Sequence, residues 1–147
     1  MSTLETAMTV AHLLFGGLWA GAVLFVTASV LPLARRGDLN AAPTEAVTGR
    51  LLQLSRASAL VLFLTGGYLA GERYTGATLL GTTRGYLVIA MILLWLALAA
   101  LVEVGSGRLT DALDDGKVRT GARDSIRLFQ AASVVGVALL VVGGVLS

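Results

Sequence analysis

The sequence predicts an all-α integral membrane protein, an antiparallel up-down four-helix bundle with both termini outside. Hydrophobic residues make up 56% of the 147 residues and charged residues only 14%, whereas soluble domains carry about 25% charged residues. Four apolar stretches are long enough to cross a bilayer, for which about 18 residues suffice. Lysine and arginine are concentrated in two of the three loops. We therefore expect a single four-span domain over residues 1–147.

The four spans are expected to be helices, because lipid offers no hydrogen-bonding partners to an open backbone. The alternating ten-residue segments of a transmembrane barrel are absent. Pro43 lies near the expected start of the second helix, which can therefore begin before the membrane. The stretch "DDGK" marks a turn before the fourth span. The predicted spans cover about residues 7–31, 54–71, 86–104 and 128–146.

The loops indicate the orientation and exclude several functions. Nine of the eleven lysines and arginines follow the first and third spans, which the positive-inside rule places in the cytoplasm. We expect a multi-pass protein of the plasma membrane with both termini outside. The chain has no cysteine, which excludes disulfides and thiolate metal sites. No nucleotide-binding fingerprint, nucleic-acid-binding pattern or nucleophile with a base is present, so we expect no enzyme and no nucleic-acid partner.

Two similar glycine motifs predict close helix packing. "GGLWAG" (16–21) and "GGYLAG" (66–71) each place two glycines four residues apart, Gly17 with Gly21 and Gly67 with Gly71. Small residues at this spacing lie on one helix face and let two helices approach closely. These glycines are expected to pack the first two helices together or to form an oligomer contact.

Two charged residues near the inner ends of their spans form a predicted ion pair. Arg56 lies about one turn inside the second span and Glu103 lies near the end of the third. Their matched depth predicts a contact, with Arg127 or Gln130 also near. A pair of opposite charges avoids the cost of a lone charge in hydrocarbon. The pair is either a structural clasp or a cytoplasmic gate.

His12, the only histidine of the chain, is the candidate ligand-binding residue. Met8 shares its helix face, and Met91 in the third span is expected at a similar depth. Thioether and imidazole groups suit Cu(I), so His12, Met8 and Met91 form a candidate copper site. The alternatives are a structural imidazole hydrogen-bonded to Tyr68 or Glu72, a proton relay, or haem bound by a His/Met or inter-subunit ligand pair.

The stretches "AHLLFGGLWAGAVLF", "LTGGYLAG" and "LWLALAALVEVGSGRL" resemble the CopD-like copper-resistance membrane proteins, especially short four-span archaeal members. The resemblance covers most of the chain. It implies a helical bundle that handles or transports copper, and it carries over His12 alone as a family ligand. Larger members of that family have more spans and further histidines.

Two functions of different classes follow. The first is copper handling or transport across the membrane, with copper as the only candidate cofactor. The second is a non-catalytic accessory subunit in the lipid bilayer, which packs through its glycine-rich faces into a homo-oligomer or against another membrane subunit. Metal binding by the purified protein, with and without His12, separates the two.

Overall fold

A computed structural model describes residues 2–147 and shows helices joined by short turns, with no strand in that range. Four helical stretches are long and apolar enough to cross a membrane, which confirms the all-helical four-span architecture. Each is longer than the predicted span, because the polar flanks continue the helix beyond the apolar run. The elements are α1 (Thr3–Phe25), a π-helical segment (Val26–Val30), α2 (Leu31–Arg36), α3 (Ala41–Arg73), α4 (Gly76–Gly81), α5 (Thr83–Asp114) and α6 (Val118–Leu146).

The first stretch is continuous from α1 through the π-helical segment into α2. Pro32 lies at the start of α2 and has no N–H to donate to the carbonyl four residues before it. A π-helical turn shifts the hydrogen-bonding pattern at such a point without ending the helix. Within this turn Thr27 Oγ1 contacts the carbonyl of Val23 at 2.7 Å and that of Phe129 in α6 at 3.2 Å. The irregular turn is thereby attached to the fourth span.

The side-chain contacts between spans show an antiparallel bundle. His12 and Trp19 in α1 contact Thr65 and Ser55 in α3, so the two helices run in opposite directions. Arg84 Nη2, at the start of α5, donates to the carbonyl of Leu146 at the end of α6 over 2.7 Å. Both chain termini therefore lie at one end of the bundle, here called the terminal end, and the opposite end is called the loop end.

The core is densest between α5 and α6, where two glycines allow close contact. A Cβ on Gly121 would lie 2.7 Å from the Cβ of Ala112, and one on Gly105 would lie 3.1 Å from Cε2 of Phe129. Phe129 itself is fully buried. In lipid there is no hydrophobic driving force between helices, so helices associate through van der Waals contact instead. Close approach of the two backbones increases that contact.

The connection between the second and third spans contains the extra short helix α4. Thr75 and Thr78 form a reciprocal capping box at its start, with Thr78 Oγ1 accepting from the Thr75 N–H at 2.7 Å. Gly85, at the beginning of α5, lets the carbonyls of Thr78 and Leu79 come close to the backbone. The connection is therefore ordered and packed onto the third span.

Candidate functional site

A cavity of about 240 Å³ lies between α1, α3, α5 and α6 in the terminal half of the bundle. All four long helices contribute to its wall, which is almost entirely apolar. His12 lines it from α1 and Met91 from α5, together with Trp19 and Trp95. The structure thus brings two of the three predicted copper ligands, His12 and Met91, to one cavity.

His12 is held by a hydroxyl group of α3 that determines which ring nitrogen carries the proton. The Thr65 hydroxyl donates its only proton to the carbonyl of Val61 at 2.7 Å. Its oxygen lies 2.9 Å from Nδ1 of His12, so with the hydroxyl proton on the Val61 carbonyl this hydrogen-bond network assigns the ring proton to Nδ1. The other nitrogen, Nε2, keeps a free lone pair. The expected partners Tyr68 and Glu72 form no hydrogen bond with this ring.

Gly66 provides the space for the imidazole. A Cβ at this position would lie 3.0 Å from Cε1 of His12 and 3.6 Å from its Nδ1. The ring therefore lies against bare helix backbone, where any larger residue would displace it. Thr65 and Gly66 are adjacent on α3, one orienting the ring and the other making room for it.

The remaining predicted ligand, Met8, is half-buried and does not line the cavity. Residues 2–147 contain no group of three or more histidine, cysteine, aspartate or glutamate side chains arranged to hold a metal ion. The donors that the cavity does offer are one imidazole nitrogen and one thioether sulfur. Such a pair is soft and suits Cu(I), not a divalent ion that prefers oxygen ligands.

Both tryptophans of the chain border the cavity and both have their N–H groups paired. Trp19 is fully buried, and its Nε1 donates to Ser55 Oγ at 2.9 Å. Trp95 Nε1 donates to the carbonyl of Ala59 at 3.1 Å. Neither indole therefore offers a free N–H group to the cavity, and the accessible indole surface there is that of the half-buried Trp95.

The glycines of the two sequence motifs do not form the predicted contact between the first two helices. A Cβ on any of the four would meet no atom within 4 Å, and all four positions are exposed. The α1–α3 contact runs instead through His12, Trp19 and their α3 partners, and Gly16 and Gly66 lie on that side. Neighbouring helix positions are turned by about 100°, so Gly17, Gly21 and Gly71 face away from this contact, while Gly67 borders the open side of the cavity. The four are Gly17, Gly21, Gly67 and Gly71.

The structure brings Arg56 and Glu103 into a bidentate contact between α3 and α5. Arg56 Nε donates to Oε1 over 2.7 Å and Nη2 donates to Oε2 over 3.1 Å. The side chains are 62% and 43% exposed on the bundle surface. Neither Arg127 nor Gln130 bonds to the pair. A bidentate contact of this geometry requires the two charged side chains to lie at the same depth in the bundle.

We expect the losses from removing Arg56 and Glu103 to be non-additive. Either single alanine variant should lower the melting temperature more than the double variant, because a lone charge near the lipid boundary is the costly state. Arg50→Ala is the matched control, since Arg50 is exposed and has no ion-pair partner within residues 2–147. Additive losses in thermal melts of the three variants would contradict an energetic coupling.

Sequence reasoning missed Thr65, Gly66, Trp95 and the pairing of Trp19 with Ser55. Their contacts depend on which faces of α1, α3 and α5 meet. A usable signal was present for one of them: a threonine directly before the "GGYLAG" stretch lies at a plausible depth for an antiparallel contact with His12.

Comparison with known proteins identifies a family. A family model described as "CopD: Copper resistance protein D" matches residues 45–146. Neither a curated protein nor a solved structure shows significant similarity to the chain. The match begins in α3 and ends at the last residue of α6, so it covers three of the four spans.

Proposed function

We propose, from the premise that this chain belongs to the copper resistance protein D family, that it binds copper as Cu(I) in the cavity of the bundle. The membership agrees with the resemblance seen in the sequence. It establishes a multi-pass membrane protein of copper-resistance type. The proposal adds the oxidation state, the place of binding and the residues.

The main support for copper binding in the cavity is the environment of His12. The Thr65 hydroxyl, bonded to the Val61 carbonyl, lies 2.9 Å from Nδ1 of His12 and assigns the ring proton to that nitrogen, and His12 and Met91 line the same cavity. Metal-bound histidines commonly use the second ring nitrogen in this way, and the outer partner orients the ring. Copper is here the cargo of the protein, and the two soft donors would hold it.

The proposed orientation places the cavity toward the outside of the plasma membrane. Nine of the eleven lysines and arginines lie toward the loop end, and such residues are retained in the cytoplasm. His12 lies nine residues after the start of α1 at Thr3, about 14 Å along a helix. The cavity would therefore exchange Cu(I) with the outer side, and the protein would handle copper without acting as an enzyme.

Titration with Cu(I) under reducing conditions, against a competing chelator, tests this function. Wild type should bind about one ion per chain, because a single set of soft donors is present. His12→Ala should abolish this binding and Met91→Leu should weaken it, whereas Met8→Leu, outside the cavity, should bind as wild type does.

Melting curves of the same variants separate a copper role from a structural one. If His12→Ala lowers the melting temperature while copper stabilises neither protein, His12 is a structural residue. Tight binding that persists in both His12→Ala and Met91→Leu would place copper elsewhere on the chain.

The second candidate function is a non-catalytic subunit that packs against another copy or another membrane protein. The observation that favours it is the open, exposed position of the four motif glycines on α1 and α3. Small residues on a lipid-facing surface permit close approach of a further helix. Within one chain they have no packing role that would require glycine.

Gly17→Leu should leave the melting temperature of the protomer unchanged and reduce its oligomer mass if this second function holds. The added side chain meets no atom of its own chain but would occupy an intermolecular contact. Gly144→Leu is the matched control, since Gly144 is also exposed with no neighbour within 4 Å. Light scattering in detergent that gives equal masses for all three proteins would exclude an oligomer through this surface.

A further inference from the structure

Apart from the weakly accepting thioether sulfur of Met91, the cavity offers a ligand a single free polar side-chain atom. The N–H groups of Trp19 and Trp95 are donated to Ser55 and to the carbonyl of Ala59. Nδ1 of His12 is committed to Thr65. What remains is the lone pair on Nε2 of His12, which can accept a hydrogen bond but cannot donate one.

The size and the apolar lining of the cavity limit its occupant. An apolar protein cavity of about 150 Å³ stays dry and binds benzene. The present cavity has a volume of about 240 Å³, which leaves room for a second fused ring. A bound water needs about two to four polar partners, and only one is available here. An organic molecule is therefore a better occupant than water.

The walls favour an aromatic molecule that arrives from the bilayer. The Trp95 ring stacks on Phe63 with centroids 5.8 Å apart, and the Met91 thioether lines the same side of the bundle. Aromatic rings and methionine sulfur both make favourable contacts with a further ring. Leu13 and Ile92 line the cavity and are also exposed on the outer surface of the helices, so the cavity lies close to lipid.

We propose that this cavity binds a membrane-partitioned aromatic alcohol of one or two rings, whose hydroxyl donates to Nε2 of His12. A ketone offers only an acceptor, and a lipid acyl chain offers neither donor nor acceptor, so both would leave Nε2 unpaired. The proposal rests on the cavity and on the ring tautomer, and it requires no copper.

Binding of naphthol to the metal-free protein tests the proposal. Methoxynaphthalene is the matched probe, because it has the same rings without the O–H donor. Equilibrium dialysis at constant detergent concentration should show naphthol binding at one site per chain. The preference for naphthol over methoxynaphthalene should fall roughly two- to tenfold in His12→Phe relative to wild type, the value of one hydrogen bond. Comparing the two proteins cancels the partition of each probe into micelles.

Two leucine variants of α6 locate the site. Gly143 lines the cavity, and a Cβ there would make ordinary contact with Met91 at 3.9 Å. Gly143→Leu should therefore fill the cavity and abolish binding without disrupting the helix packing. Gly144→Leu, at the exposed neighbouring position, should bind naphthol as wild type does. Equal binding by the two variants would show that the probe sits outside the cavity and would overturn the proposal.

Nitrogen NMR of protein labelled with ¹⁵N-histidine gives a second readout, since the chain contains one histidine. Naphthol should shift the unprotonated Nε2 signal and leave Nδ1 protonated, whereas methoxynaphthalene should shift neither. Equal affinities for the two probes together with an unmoved Nε2 signal would mean a pocket for apolar chains only. A protonated Nε2 in the free protein would also contradict the proposal. None of these outcomes depends on copper binding.

Discussion

Replacing Trp19 by alanine should lower the free energy of unfolding by about 3 to 5 kcal/mol, the largest stability loss that we expect from a single substitution. Trp19 is fully buried and joins the hydrophobic core around Val23, Leu98 and Phe129. Between helices in lipid, packing contact is the main attractive term. Alanine would remove the contacts of the indole, enlarge the adjoining cavity and leave Ser55 without its donor.

Two further variants separate packing from hydrogen bonding at Trp19. Trp19→Phe retains much of the ring and loses only the donor to Ser55, a change of about 1 kcal/mol. Trp95→Ala truncates a half-buried indole and should cost less than Trp19→Ala. The measurement is reversible unfolding in mixed micelles. Equal losses in Trp19→Ala and Trp95→Ala would show that burial within the bundle does not determine the cost.

Thr65→Val should weaken Cu(I) binding by about 10- to 100-fold, the usual effect of removing the outer partner of a metal-bound histidine. Valine matches the shape of threonine but cannot accept the Nδ1–H bond. The imidazole would then lose both its preferred orientation and its fixed tautomer. Thr65→Ser retains the hydroxyl, which can donate to the Val61 carbonyl and accept from Nδ1, and should bind Cu(I) as wild type does.

A structural role of Thr65 alone would give a different pattern. In that case both Thr65→Val and Thr65→Ser would change the melting temperature, and the affinity for Cu(I) would follow the folded fraction. The proposed orienting role instead predicts that fully folded Thr65→Val still binds Cu(I) more weakly and shows an altered ¹⁵N spectrum of His12, whatever its melting temperature. Wild-type affinity in Thr65→Val would remove this threonine from the site.

Composition and apolar run length by themselves determined the architecture of this protein. Twenty or so apolar residues must form a helix in lipid, because the backbone has no other source of hydrogen bonds, and four such runs are visible in the chain. The matched depth of Arg56 and Glu103 could also be read directly, since depth along a span is counted in residues. His12 also stands out in the sequence, because an imidazole within such an apolar run is unusual.

Only the tertiary structure decided which faces of the helices meet. In lipid an apolar side chain can face either the bilayer or a neighbouring helix at a similar free energy. Hydrophobic periodicity therefore does not mark the contact face of a helix as it does in water. The sequence pattern therefore does not distinguish Gly17 and Gly67 from their neighbours Gly16 and Gly66. Adjacent positions on a helix differ in direction by about 100°, which is enough to turn one glycine outward and the next toward a neighbouring helix. The same rotation places Thr65 beside His12, whose side chain lines the cavity.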